Sequence, residues 1–176
     1  MRVKDTATAL FLAAVAGYWI ESVSLGADVK PAPAATYVVK IEFDQRVKMR
    51  DGLELSADVY RPEGKERFPV ILSRTPYNKS AGGKDALDRV RYFVTRGYVV
   101  VVMDVRGRGD SDGKFTPWRD EGPDGYDAIE WCAHQPWSDG KVGTFGGSYL
   151  GYNQWMAAVE QPPHLQAMVA LVTPGT

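Results

Sequence analysis

Apolar residues recur along this chain in two different periods. Val47-Lys48-Met49-Arg50 and Leu53-Glu54-Leu55-Ser56-Ala57-Asp58-Val59 alternate apolar and polar positions around Asp51-Gly52, which predicts an antiparallel hairpin. Pro69-Val70-Ile71-Leu72 and Tyr98-Val99-Val100-Val101-Val102-Met103 are instead continuous apolar runs, the pattern of strands covered on both faces. Between those runs, Lys84 to Arg96 sets Leu87, Val90 and Val94 on one helical face and stops at Gly97. Further along, Asp124 to His134 reads as a short helix and Lys141 to Phe145 as a strand. Tyr149 to Gln161 reads as a helix ended by Pro162-Pro163, and Gln166 to Val172 as one more buried-type strand. Strands alternating with helices predict a mostly parallel α/β sheet that opens with an antiparallel pair. With nothing after it, the 166–172 strand would be an unpaired apolar edge, which natural sheets avoid, so further sequence is expected beyond Thr176.

The first 27 residues have another character. Arg2 and Lys4 precede the apolar run Ala9 to Ile20, too short to span a bilayer stably but suited to the core of a signal peptide. Ala14-Val15-Ala16 and Leu25-Gly26-Ala27 are possible cleavage sites, and the expectation is export to the periplasm or medium. Residues 28–36, with Pro31 and Pro33, read as a linker, leaving 37–176 as the folded part. Of the 176 residues 44% are hydrophobic, enough for one domain with a core. A net charge of −1 offers none of the basic stripes that bind nucleic acid. Cys132 is the single cysteine and lies in a helical pattern, so it reads as a small core residue.

The candidate chemistry centres on Gly143-Thr144-Phe145-Gly146-Gly147-Ser148-Tyr149-Leu150-Gly151, a serine framed by glycines where a predicted strand passes into a helix. Such a nucleophile elbow projects the hydroxyl above the sheet and aims the next backbone N–H at a developing oxyanion. Gly146 occupies the crowded position two before the serine; the usual second glycine is displaced by one residue, to Gly151. Arg74-Thr75-Pro76-Tyr77-Asn78 follows the first continuous apolar run, where such hydrolases keep a second oxyanion donor. Together with Asp104-Val105-Arg106-Gly107-Arg108-Gly109-Asp110-Ser111 and Gln135-Pro136-Trp137-Ser138-Asp139-Gly140, these segments resemble the X-Pro dipeptidyl peptidase and cocaine esterase family of α/β-hydrolases. That family includes α-amino acid ester hydrolases and glutaryl acylases. The resemblance covers the chain from about Phe43 onward, the N-terminal part of the α/β-hydrolase fold to about its sixth strand.

The resemblance implies that Ser148 is the acyl-accepting nucleophile of a serine hydrolase, with an oxyanion hole formed by the Tyr149 N–H and the Tyr77 hydroxyl. It implies a small-molecule or peptide acyl substrate and no metal or organic cofactor. X-Pro dipeptide release, aryl ester hydrolysis and acyl transfer to β-lactam nuclei all stay open. A serine hydroxyl also needs a base, and the chain has only His134 and His164. Both are expected about 20 Å from Ser148, at 3.3 Å per strand residue or 1.5 Å per helix residue. In this fold acid and then histidine follow the serine, so both are expected after Thr176 and the 176 residues alone are expected to turn over poorly.

Other readings of the same residues exist. A serine after a tight Gly-Gly turn can simply cap a helix, and Tyr77 can be an amphipathic surface tyrosine. The glycines around Ser148 match neither G-x-G-x-x-G nor a P-loop with its lysine, which argues against a nucleotide site. Asp110 and Asp112 lack the further oxygen ligands of a calcium loop; the Asp104 to Gly113 segment is expected to be a structured loop whose charges pair with one another. A non-catalytic remnant or binding module of the same fold is the remaining alternative.

Overall fold

The computed structural model describes residues 34–173. The expected leader, 1–27, and most of the linker lie outside the described residues. Six strands form one sheet: β1 (Val39–Lys48), β2 (Glu54–Pro62), β3 (Phe68–Thr75), β4 (Val99–Asp104), β5 (Ser138–Gly147) and β6 (Leu165–Leu171), in the order β1-β2-β4-β3-β5-β6. The alternating segments around Asp51-Gly52 form the predicted antiparallel pair, and β2 is also antiparallel to β4. From there β4, β3, β5 and β6 run parallel. This is the mostly parallel α/β sheet that the alternation of strand and helix predicted, and the α/β-hydrolase arrangement that the family resemblance implied.

Helix α1 (Gly83–Val94) crosses one face of the sheet, while α2 (Glu121–Ala133) and α3 (Tyr149–Val159) cover the other. The continuous apolar run of β4 serves both faces. Val99, Val101 and Met103 join the main core with Leu55, Leu72, Ala128, Ile129 and Cys132, whereas Val100 packs with Tyr60 and Val94 beneath α1. Cys132 is completely buried, as its place in the helical pattern predicted, and burial pushes its thiol pKa up.

The two faces are unequally filled. On the α1 face lie adjoining clefts of about 450 and 320 Å³, open to solvent, that share Ile71, Phe93 and Phe145. Leu87, expected on the inner face of α1, is 54% exposed. The helix turns Ala86, Arg89, Val90 and Phe93 toward the larger cleft instead, which rotates Leu87 outward. Strand β6 pairs with β5 at the sheet edge, and its Val169 and Leu171 are about half exposed.

Candidate active site

Strand β5 ends at Gly147 and α3 begins at Tyr149, so Ser148 alone makes the turn. Its backbone has φ 57° and ψ −124°, a conformation that L-residues adopt at a cost of about 1–3 kcal/mol when the surroundings enforce it. Several contacts enforce it here. The Ser148 N–H donates to the Leu171 carbonyl at 2.9 Å, tying the turn to β6. The Ser148 carbonyl accepts from the N–H groups of Gly151 and Tyr152, at 2.9 and 3.0 Å, starting the helix immediately. Its side chain caps nothing and is exposed.

The displaced glycine has a steric explanation. A Cβ on Gly146 would stand 2.4 Å from the Leu150 Cβ, so Leu150 fills the space over the turn and Gly146 must stay bare. A Cβ on Gly151 would stand 2.2 Å from Thr173 Cγ2 and 3.1 Å from the Leu171 carbonyl, where the chain leaving β6 crosses α3. The second close approach lies one residue later than in G-x-S-x-G, and the glycine follows it.

Tyr77 follows β3, the strand next to β5. Leu72 pairs with Thr144, and that register carried four residues on sets Ser148 beside Pro76. Chain neighbours in a sheet lie about 4.8 Å apart, so the tyrosine turn and the serine turn are adjacent. Helix α1 follows β3 to one face and α3 follows β5 to the other. The gap between the two is therefore a topological switch point, where open α/β sheets gather ligands at strand carboxyl ends. Tyr77 is 57% exposed, and its N–H donates to Thr75 Oγ1 at 3.0 Å. The Tyr149 N–H belongs to the first turn of α3, where N–H groups have no partner within the helix. The Tyr149 side chain is buried: its hydroxyl donates to Glu121 Oε1 at 2.8 Å and accepts from the Trp118 N–H at 3.2 Å, while its ring stacks on Trp118. That burial raises the phenol pKa, and the Glu121 carboxylate adds to the rise.

Residues to which the sequence assigned no role hold the two turns together. Arg74, at the end of β3, donates through Nη1 to the Glu121 carbonyl at 2.9 Å and stands 3.0 Å from Glu121 Oε2 in a buried ion pair. Asn153 of α3 donates to the Arg74 carbonyl at 2.8 Å. The strand before Tyr77 and the helix after Ser148 thus share one polar network through Arg74, Glu121 and Tyr149. Adjacent to it, the Lys79 ammonium is buried among four carboxylates: Asp110, Asp44 at 2.9 Å, Asp104 at 3.7 Å and Asp58 at 3.9 Å. Burial opposes its charge, but the bonds to Asp110 and Asp44 and the charges of Asp58 and Asp104 outweigh that and raise its pKa. Burial also raises the Asp58 carboxyl pKa.

The charges of the 104–113 loop do not pair with one another as expected. Asp104 accepts from the Lys79 N–H at 2.7 Å, Arg106 pairs with Asp124 and Asp51, Arg108 donates to the Pro76 carbonyl at 2.8 Å, and Asp112 pairs with Arg46. Neighbouring residues of a tight loop point apart, so their partners come from other elements. The loop thereby anchors both sides of the Tyr77 turn, at Pro76 and at Lys79. The alternation of charges was legible in the sequence, but not the direction in which each pointed.

Both histidines are remote from the serine. The His164 carbonyl accepts from the Val142 N–H at 3.0 Å, at the amino end of β5. Ser148 is six residues farther along, about 20 Å away. His134 lies beside His164, ring centroids 5.1 Å apart.

Comparison with known proteins agrees with this architecture. A model of the X-Pro dipeptidyl-peptidase (S15) family matches residues 51–175. The chain is 43% identical over 128 residues to cocaine esterase of Rhodococcus sp. (strain MB1 Bresler), covering 69% of this chain and 22% of that enzyme. A crystal structure of a CocE/NonD family hydrolase from Staphylococcus aureus superposes with a TM-score of 0.66 at 37% identity, over 73% of this chain and 26% of the other. An α-amino acid ester hydrolase superposes with a TM-score of 0.63 at 30% identity, over 84% of this chain and 28% of the other. The chain spans less than a quarter of the esterase it matches. On the family match and the shared fold, the chain belongs to the X-Pro dipeptidyl-peptidase (S15) family of α/β-hydrolases.

Proposed function

We propose that this chain carries the nucleophile and oxyanion side of a serine hydrolase that cleaves an ester or amide through an acyl-enzyme. The observation that carries the reading is Ser148 itself, exposed and held at φ 57° between the end of β5 and the first turn of α3. A serine needed only as a helix cap has no use for that conformation and would bond the helix N–H groups, which Ser148 does not. Ser148 Oγ attacks the acyl carbonyl, and the Tyr149 N–H and Tyr77 hydroxyl receive the oxyanion. The base that takes the serine proton, and the carboxylate that orients it, come from outside these 176 residues, because His134 and His164 stand about 20 Å away.

The hydrolase reading takes support from the named relatives, an esterase and an amino acid ester hydrolase, and from the S15 family itself. Fluorophosphonate treatment of the protein as its source makes it, followed by peptide mapping, should place the adduct on Ser148. An unlabelled serine would leave the fold as a non-catalytic binding module. The isolated 176-residue chain should hydrolyse an activated ester little faster than its Ser148→Ala variant; robust Ser148-dependent turnover would show that the base lies within the chain. Export remains part of the proposal through residues 1–27 and is checked by the amino-terminal sequence of the mature protein.

A further inference from the structure

The two histidines that the serine does not use converge at the other end of the sheet. Glu130 and His134 are one turn apart at the end of α2, and His164 lies in the turn that enters β6. One metal-ligating atom from each of the three side chains lies within 4.8 Å of the others. The hydrogen bonds decide which nitrogens are free. His134 Nδ1 lies 2.7 Å from the Glu130 carbonyl, and His164 Nδ1 lies 2.7 Å from Glu130 Oε2. Both partners are acceptors only, so each Nδ1 carries the proton and each neutral ring keeps its lone pair on Nε2.

An imidazole whose Nδ1–H is held by a carboxylate or carbonyl is the arrangement found behind metal-ligating histidines, since that bond sets the tautomer and makes the ring more basic. Glu130 supplies both such partners, its carbonyl to one ring and its carboxylate to the other. Its Oε1 also accepts from the His164 N–H at 3.3 Å, fixing the backbone of the turn. His134 is exposed and His164 half-buried, so a cation reaches them from solvent without unfolding.

We propose that Glu130, His134 and His164 form a binding site for an imidazole-favouring divalent transition ion such as Zn²⁺, ligated by a ring nitrogen of each histidine, with Glu130 holding both rings. The ion links the end of α2 to the start of β6. At about 20 Å from Ser148 it takes no part in acyl transfer. Bound to the folded state alone, it raises stability by mass action.

The test is calorimetric titration of the 176-residue chain with ZnCl₂ in a non-chelating buffer. One ion per chain is expected, with affinity falling at least tenfold in His134→Ala and in His164→Ala, and roughly tenfold in Glu130→Gln, the effect typical of losing a carboxylate behind a ligand. The chain has only these two histidines, so the His134→Ala/His164→Ala double variant measures all binding by carboxylates elsewhere. Equal binding by the unaltered chain and the double variant, whether both bind or neither does, overturns the proposal. Should a variant fail to fold, NMR of the unaltered chain decides: Zn²⁺ must shift the imidazole ring resonances of both histidines, and unmoved resonances refute the site.

Discussion

The two ends of β5 are built on different principles. At the carboxyl end, Ser148 sits in a costly backbone conformation, and the turns around it are held by buried charge: Arg74 against Glu121, and Lys79 among four aspartates. At the amino end, His134, His164 and Glu130 meet at the surface through hydrogen bonds of 2.7 Å, with exposed or half-exposed side chains. The difference teaches where positioning is expensive. A strained, exposed turn has to be braced by buried pairs beneath it, whereas a surface cluster can assemble its last ligand geometry when a cation arrives.

Substitutions at the two ends should therefore differ in scale. The largest effect is expected from Ser148→Ala, which should abolish fluorophosphonate labelling of the natural protein, read by mass spectrometry, without loss of fold. Lys79→Ala leaves Asp58 and Asp104 buried without their cation, and should cost about 3–5 kcal/mol in urea denaturation, as for other broken buried pairs. A loss below about 1 kcal/mol would mean that these carboxylates are already solvated or protonated. Tyr77→Phe keeps the ring and removes the hydroxyl; if Tyr77 is an oxyanion donor, acylation should slow by about 10²-fold with stability unchanged. Gly146→Ala drives a methyl into Leu150 and should cost about 1–3 kcal/mol, with labelling falling as the turn shifts; Gly146→Ala/Leu150→Ala should restore part of the loss. The smallest effect is expected at the amino end, where His164→Ala without metal breaks a partly exposed pair with Glu130 and should change stability by about 1 kcal/mol or less.

Much of the carboxyl end was legible in the sequence because its constraints are local. A glycine two before a serine, an apolar strand before it and a helix after it specify one turn with few alternatives, and the turn at Ser148 followed from that pattern, whereas the Tyr77 loop was singled out only by the family resemblance. The glycine at 151 was visible but not explicable, since the atoms that exclude a side chain there, from Leu171 and Thr173, belong to another strand. Glu121 and Lys79 gave no signal, and Arg74 stood in a quoted segment without its role being legible, because a buried ion pair joins residues far apart in the chain, and a single arginine or lysine reads as surface. The same holds for Glu130: its spacing to His134 spans one helical turn, but His164 arrives only when β6 docks on β5.

The hydrophobic pattern, with the Asp51-Gly52 turn, predicted the antiparallel opening, the parallel strands and the helices between them, because burying an apolar stripe on a sheet or helix is a property of each segment. The order of strands, the adjacency of the Tyr77 and Ser148 turns and the destination of every charge in the 104–113 loop were decided only by the tertiary structure. Those depend on pairings between segments tens of residues apart, whose partners are chosen by geometry that no local pattern encodes.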